Sequence, residues 1–508
     1  LGDEFVKEGG SSLGRATLIA LKWSYLGIVV KLVLQLGIQV VLARLLGPEP
    51  FGQIAVAWMI ISLVGLLADA GFGPALVQRK ELTCHDIRYG FTVQTTLGIV
   101  MSLAVTAGAG LLERFWSSPG LAPVIRAISL LFVLQALGQT ATSVLKRQMA
   151  FKEIQVAQVI SYVIAFCCLG IPAAFMGLGV WSLVLAQLTQ GFLYTVLVYI
   201  RVKHSLFPTF RRPGSGLLQF GSKVVATNVF NWVIGNVDNF MVGRSFGVAI
   251  LGLYSRSFNL AGLLVSNAVT GVQQVLFPAY ALIQDRQEQQ QRMYLASLNM
   301  SLLIMFPVFG GLAAAAHTVI AILYGTRWSG AAPILVPLAL AMPFSIVVSL
   351  TGPLVWGVGR VEKEMYVQLF TAGLSILVLL WLSHISAVAV GWGVLAIYVL
   401  RAGLMTAVVV RITGLAWSDL ERSYRGAVAT FMAVTLVILG CERGLALAHL
   451  PMIARLATDV ACGLAVSLGV LFGWPQWVLT EGVRNSIAHA VNRVPAPMRP
   501  LVRRLGAS

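Results

Sequence analysis

The feature that most constrains this chain is its rhythm of long apolar runs. From residue 16 to residue 474 one follows another with only short breaks. About 20 apolar residues, wound as a helix rising 1.5 Å per residue, match a hydrocarbon core of about 30 Å. Lipid offers no partner to a backbone N–H or C=O, so such a span must satisfy its own backbone as a helix. Spans are expected near 16–43, 53–77, 89–112, 121–145, 153–174, 180–200, 217–242, 249–276, 293–316, 331–356, 364–383, 388–410, 426–447 and 452–474. The fold class is therefore an all-α polytopic membrane protein of about 14 transmembrane helices. Of the 508 residues, 58% are hydrophobic and only 11% charged, where a soluble domain carries about 25%.

The net charge of +17 raises the question of nucleic acid. The basic residues do not form a patch interleaved with aromatics, so no nucleic-acid partner is expected. They collect instead at the N-terminus (Lys7, Arg15) and in every second connection: Arg79, Lys80 and Arg88; Lys146, Arg147 and Lys152; Arg201, Lys203, Arg211 and Arg212; Arg286 and Arg292; Arg360 and Lys363; Arg411, Arg422 and Arg425. The intervening connections carry only Arg44, Arg114, Arg244, Arg327 and Arg443. Cytoplasmic loops hold the excess of Lys and Arg, which places both termini in the cytoplasm. The acidic start, "LGDEFVKEGGSS", lacks the basic region of a signal peptide, so the first span is expected to remain in the protein. Cys84, Cys167, Cys168, Cys441 and Cys462 show no metal or framework spacing and read as small buried hydrophobes. No metal and no cofactor is expected.

One motif is written twice. "RLLGPEPFG" at 44–52 and "RSFGVAILG" at 244–252 share the pattern Arg-x-x-Gly-x-x-x-x-Gly at an offset of 200 residues. Six spans separate the copies, an even number, so the second half starts in the same orientation as the first. That is a parallel repeat about an axis along the membrane normal. The expected organisation is a cytoplasmic N-terminus (1–15), an N-lobe (16–200), a basic interlobe loop (201–216), a C-lobe (217–410), two appended spans (411–474) and a basic cytoplasmic tail (475–508). The motif has two readings. Arg44 and Arg244 meet the last carbonyls of a helix while Gly47 and Gly247 adopt its left-handed cap, with Pro48 forbidding continuation; or the pair closes an outer gate.

Polar stripes inside the spans point to function. On the eighth span Arg256, Asn259, Asn267, Thr270 and Gln274 fall on one face at 100° per residue. An arginine at depth is costly and should face a protein interior or a water-filled cavity; the competing reading is hydrogen-bonded glue between helices. The seventh span aligns Asn228, Asn231, Asp238 and Asn239, and the first aligns Ser24, Lys31 and Gln35. At the 200-residue offset Lys31 matches Asn231, so both halves present polar faces at equal depth, as a midplane site between repeats would require. Softer stripes occur at Gln135, Gln139 and Thr142, and at Gln187, Gln190 and Tyr194. Acids at depth are read as Asp69, Asp238 and Asp459. Asp69 pairs with Arg79, Lys80 or Arg88, caps its helix, or couples transport; Asp238 pairs with Arg244 or Arg256, or relays a proton. The candidate binding residues are Lys31, Gln35, Asn228, Asn231, Arg256, Asn259, Asn267 and Gln274, with Asp69 and Asp238 for coupling to a H⁺ or Na⁺ gradient. Cations ringed by amides suit an anionic, hydroxyl-rich guest.

Several stretches resemble a known family. "ARLLGPEPFG" (43–52), "ADAGFGPALVQRK" (68–80), "KRQMAFKEI" (146–154), "NVDNFMVGRSFGVAILGLYSRS" (236–257), "VLFPAYALIQ" (275–284) and "LYGTRWSGAAPIL" (323–335) look like Wzx-type polysaccharide-transport flippases of the MOP superfamily, in the colanic-acid and teichuronic-acid exporter branch. The likeness covers about residues 15 to 410. It implies a MATE-like fold of two six-helix lobes and alternating access. It also implies flipping of an undecaprenyl-pyrophosphate-linked oligosaccharide across the bacterial inner membrane, among membrane lipids and beside polymerase and glycosyltransferases of the same pathway. The family motifs mark helix ends and designate no binding residue. Two other functions compete. A MATE-type cation-coupled drug antiporter would want carboxylates at depth, where Lys31 and Arg256 stand instead. A polytopic glycosyltransferase or polymerase would need a carboxylate or His constellation outside the bilayer, and the external loops offer little beyond Glu113, Glu442, His317 and His449.

Overall fold

The computed structural model describes residues 30, 32–68, 83–148, 150–203, 205, 207–209, 221–284, 286–447, 450–480 and 482–484, with the backbone alone at 66–68, 86, 221–228, 267–272, 274–275, 277–278, 281 and 446–447. Helix dominates, and no strand occurs among the described residues. The helices are α1 (Leu32–Leu46), α2 (Pro48–Ala68), α3 (Cys84–Trp116), α4 (Leu121–Arg147), α5 (Phe151–Phe175), α6 (Val180–Val202), α7 (221–246) and α8 (248–282). They continue with α9 (Gln287–Ala314), the short α10 (Ala316–Leu323), α11 (Ala332–Gly357), α12 (Val361–Leu382), α13 (Ala387–Thr413), α14 (Trp417–Leu447) and α15 (Met452–Gly473). Eleven described stretches are long and apolar enough to cross a bilayer. The kinked pair α7–α8 counts there as one stretch, Val229–Ser266, and neither α1, described over 15 residues, nor α2 is among the eleven.

Contacts divide the chain into two units. The first holds residues up to Val229 together with Phe246–Gly252; the second holds Phe230–Ser245 and everything from Leu253 on. In the first unit α4 packs against both α3 and α6. Small residues permit the approach: a Cβ on Gly138 of α4 would meet Thr195 of α6. Polar side chains then join the helices. Thr195 Oγ1 donates to the Leu134 carbonyl at 2.8 Å, Thr140 Oγ1 to Gln94 Oε1 at 2.7 Å, and the hydroxyls of Thr142 and Tyr194 meet at 3.0 Å. In α5 the turns at Ile164–Gly170 widen to a π-helix just before Pro172. Proline has no N–H and its ring crowds the carbonyl four residues back; a widened turn makes room for it.

The glycines of both copies of the doubled motif lie in this first unit, and they explain it. Gly47 and Gly247 have φ of +73° and +83°. Gly247, with ψ of 171°, sits in a region essentially reserved for glycine. The Gly47 N–H donates to the Ala43 carbonyl at 3.2 Å, closing α1. The second glycines face each other. A Cβ on Gly52 would collide with the Val248 carbonyl, and a Cβ on Gly252 with the Pro48 carbonyl. Each copy thus packs its first helical turn on the other's glycine, a self-complementary contact of the kind a two-fold operation produces.

In the second unit α11 is the axis. Of its most apolar window 72% is buried, against 11% for α15, so α11 is enclosed and α15 is the outermost helix. An all-round apolar sequence suits an enclosed helix. Three prolines interrupt it, at 337, 343 and 353. Pro353 has no N–H to donate to the Ser349 carbonyl four residues back, and Gln273 Nε2 of α8 donates to that carbonyl at 2.8 Å instead. α13 is bounded by Ser386, whose Oγ accepts from the Ala389 N–H at 3.0 Å, and by Gly414 in the left-handed conformation.

Beyond α15 the chain does not leave the helical body at 475. Asn299 of α9, fully buried, donates through Nδ2 to the carbonyls of Ser423 (3.1 Å) and Val478 (3.2 Å). Arg425 donates to the Trp477 carbonyl at 3.2 Å and lies 4.7 Å over its ring. Val478, Leu479 and Val483 are buried, so the start of the expected tail is docked through these residues.

The glycine contact makes a prediction. Gly52→Val or Gly252→Val should cost about 1–3 kcal/mol by overpacking. Gly37→Ala, on α1 with open space around it, should be neutral or stabilising by about 0.5–1 kcal/mol. Thermal unfolding in detergent reads both; a Gly252→Val protein that melts with the parent would mean the two backbones do not approach.

Candidate functional site

A polar seam runs through the second unit, from α7 and α8 to α11, α12 and α13. On α7 the buried residues Ile234, Asp238 and Val242 recur every four positions and form the packed face. Asp238 is only 1% exposed, which would be costly without donors. Three are supplied: the Tyr254 hydroxyl at 2.8 Å, the Asn239 backbone N–H at 2.7 Å and the Asn239 amide at 3.1 Å. Asp238 stands nine residues before Gly247 and Tyr254 seven after it, so the bend at that glycine brings them together. The expected alternatives for Asp238 were Arg244 or Arg256; its hydrogen bonds go to Tyr254 and Asn239.

Two charged residues of the seam escaped the sequence reading. Glu364 of α12 was taken as a span edge. It is buried, and accepts from Trp356 Nε1 of α11 at 2.6 Å and from Gln368 Nε2 at 3.3 Å. Arg401 stands near the middle of α13 and donates through Nη2 to Asn231 Oδ1 of α7 at 2.5 Å. It lies within electrostatic reach of Glu364 and Tyr398, and Tyr398 within reach of Asp238. Its Nε is buried without a hydrogen-bond partner. The seam therefore sets one carboxylate, Glu364, within reach of the Arg401 guanidinium, while Asp238 is held by neutral donors and stands near Tyr398. Its hydrogen bonds tie α7 to α8 and to α13, and α11 to α12.

The remaining expected site residues are placed as follows. On α8 the buried face is Leu251, Tyr254, Ala261 and Val265, with Ser257, whose hydroxyl donates to the Ala331 carbonyl at 2.9 Å. Arg256 is two residues, or 200°, around from Tyr254, and Asn259 is exposed. Arg256 itself is half-buried, with its Nε enclosed, between buried Ser255 and Ser257. Arg256 is within electrostatic reach of Tyr324, at the end of α10. Gln35 of α1 is half-buried. Gln39, one turn on, was not singled out, yet its Oε1 is buried without a partner; the i, i+4 spacing from Gln35 was the available signal. Arg44 and Arg244 are exposed at the ends of their helices. Lys31 and Asp69 lie outside the described residues, as do the side chains of Asn228, Asn267 and Gln274. The structure thus joins Asn231 to Arg401 and Asp238 to Tyr254.

With the helices and seam in place, comparison with known proteins decides the family. Residues 41–333 match the model of a family described as polysaccharide biosynthesis protein. The chain belongs to this family. It is 27% identical over 377 residues to the lipopolysaccharide biosynthesis protein WzxC of Escherichia coli K12, covering 72% of this chain and 75% of that one. It is 24% identical over 422 residues to the teichuronic acid biosynthesis protein TuaB of Bacillus subtilis, covering 81% and 86%. Among solved structures, the lipid II flippase MurJ in an inward closed conformation superposes with a TM-score of 0.64 at 11% identity, covering 92% of this chain and 99% of that one. At that identity the likeness establishes the fold alone, which is like that of MurJ and of the MATE transporters. This family member is a multi-pass protein of the bacterial inner membrane.

The seam predicts a coupled pair. Tyr254→Phe removes a hydrogen bond to a buried carboxylate and should cost about 1.5–3 kcal/mol. In an Asp238→Asn background the same change should cost under about 1 kcal/mol, because the charged acceptor is gone. A double-mutant cycle on thermal stability measures the difference; additive costs would mean that Tyr254 does not hold Asp238.

Proposed function

We propose that this protein is a flippase that moves an undecaprenyl-pyrophosphate-linked oligosaccharide repeat unit across the inner membrane for surface-polysaccharide assembly. It works by alternating access, without catalysing a covalent step. The proposal includes fourteen crossings with both termini cytoplasmic, an N-lobe at 16–200, a C-lobe at 217–410 and two appended spans. The observation that carries it is Arg256: a half-buried intramembrane cation on α8, one turn from exposed Asn259, in a chain of the polysaccharide biosynthesis family.

The physical argument is one of charge. Two phosphates must leave water to cross hydrocarbon, and buried charge is tolerated only when paired. Arginine offers phosphate oxygens two parallel hydrogen bonds, and lysine a point charge. Arg256 and Lys31 take these roles, with Gln35, Asn228, Asn231, Asn259, Asn267 and Gln274 meeting sugar hydroxyls. An inside-negative potential assists outward movement of an anion by about 2.3 kcal/mol per charge per 100 mV. Asp69 and Asp238 are the proposed points of coupling to a H⁺ or Na⁺ gradient, and the polymerase and glycosyltransferases of the pathway are the proposed neighbours.

Deleting the gene should leave lipid-linked oligosaccharide on the cytoplasmic face, and complementation should restore export. Arg256→Lys should retain part of that export, whereas Arg256→Gln and Lys31→Gln should each lose most of it at normal abundance. If both Gln variants reach the membrane and export normally, the cations do not carry the pyrophosphate. Cysteine labelling tests the orientation: position 211 should be inaccessible from outside intact cells, and labelling there would invert the topology.

A further inference from the structure

The appended helices contain a second group of titratable side chains, away from the seam. α9, α14 and α15 enclose an apolar groove of about 640 Å³, closed at one end by Val478 and Leu479 of the docked segment. Along α15 the groove runs from Leu456 to Leu471, about 22 Å at 1.5 Å per residue. One acid lines it. Asp459 is 1% exposed, and neither carboxyl oxygen has a hydrogen-bond partner. Across from it, on α14, Glu442 is within hydrogen-bonding reach, and its Oε1 is likewise buried and unpartnered. Beside the two acids the sulfurs of Cys441 and Cys462 stand 3.9 Å apart, with Cys441 in electrostatic reach of Asp459. The groove walls that α9 and α10 contribute, such as Met300, Ile304, Pro307 and Val319, carry no charge. The nearest cations along the chain are Arg455, one turn before Asp459 on α15, which donates to the Leu450 carbonyl at 2.9 Å, and exposed Arg443, next to Glu442; among the described residues the acids and thiols do not form a set that could hold a metal ion.

Two ionised carboxylates cannot share such a place. Asp459 would lose its water without gaining a donor, the enclosed oxygen of half-buried Glu442 would do the same, and the two charges would repel each other. A single proton resolves both problems, because a carboxyl and a carboxylate can share one strong hydrogen bond. We propose that Asp459 and Glu442 form a proton-binding site, holding one proton between them, and that this proton seats α15 against α14 along the wall of the groove. Loss of the proton leaves two facing negative charges on the two helices and favours their separation. Glu442 lies five residues from the end of α14 and Asp459 seven residues into α15, so the site sits about 8–10 Å from the turn joining them. Its service to a transport cycle rests on the flippase reading above. The proton can be detected without it.

The test is infrared difference spectroscopy on the full chain in lipid nanodiscs at neutral pH, reading the carbonyl absorption of protonated carboxyl groups and its shift in D₂O. Asp459→Asn should remove one carboxylic-acid oscillator per chain. Glu442→Gln should remove the same one, and the double variant should remove no more than either single variant. In the parent this oscillator should titrate away as pH rises. Two lost oscillators in the double variant would mean two independent protons and would overturn the sharing. No loss in either single variant would mean both groups are ionised and would overturn the site. Should Asp459→Asn fail to give monodisperse protein, Glu442→Gln alone decides, since a shared proton needs both partners. Loss of polysaccharide export with an unchanged spectrum would leave the flippase reading standing and remove this proposal; the reverse result would separate them the other way.

Discussion

Everything in this structure answers to one constraint: a polar group in hydrocarbon must find its partner within the protein. The constraint makes the chain helical, and it then dictates where helices meet. Pro353 shows the mechanism at its smallest. The proline disturbs one turn of α11, and Gln273 of α8 crosses over to the Ser349 carbonyl at 2.8 Å. Asn299 does the same for the chain after α15, taking the carbonyls of Ser423 and Val478 on its amide. Hydrophobic burial cannot choose between such arrangements, because lipid is as apolar as the side chains. Close packing of small residues and the pairing of polar groups choose instead.

The same constraint orders the charged seam. Asp238, Glu364 and Arg401 come from three different helices, and each carboxylate has more than one donor while Arg401 donates to Asn231. Neutral donors take up most of the charge: a tyrosine and an asparagine on Asp238, a tryptophan and a glutamine on Glu364. A seam built this way holds the helices in register, and it also responds to any change in its own charge. The appended hairpin is different. Asp459 has no neutral donor, so its burial calls for a ligand and not for a better fit.

The spans were legible because their signal is length and apolarity, which need no knowledge of neighbours. The duplication was legible as an offset of 200 residues. What it does was not, since the approach of Gly52 to Val248 and of Gly252 to Pro48 is a tertiary fact. Asp238 could be picked out, but the search for its partner looked for a cation, and the partner is a tyrosine beyond the bend at Gly247. Arg401 was overlooked in an otherwise apolar run, although an arginine some 12–14 residues from either end of α13 is itself a signal. Glu364 was lost at a span edge, where boundaries read from sequence are least secure; Trp356, its donor, belongs to the preceding helix.

The duplication also separates what the fold requires from what it carries. At the offset of 200, Asp238 and Tyr254 correspond to Ile38 and Ile54, all four of them buried. The first half thus fills with hydrocarbon the positions that the second half fills with a carboxylate and its donor. Replacing a buried ion and its partner by well-packed apolar residues is often neutral or stabilising. The bend at Gly47 and Gly247, and the glycine contact that follows each, persist in both halves whichever solution is used. The geometry of the hairpin therefore does not depend on the polar pair. Arg256 of the second half stands against Val56, fully buried in the first, and Asn231 against Lys31. Charge has been distributed asymmetrically over a shared frame, and the asymmetry is where a directional function can reside.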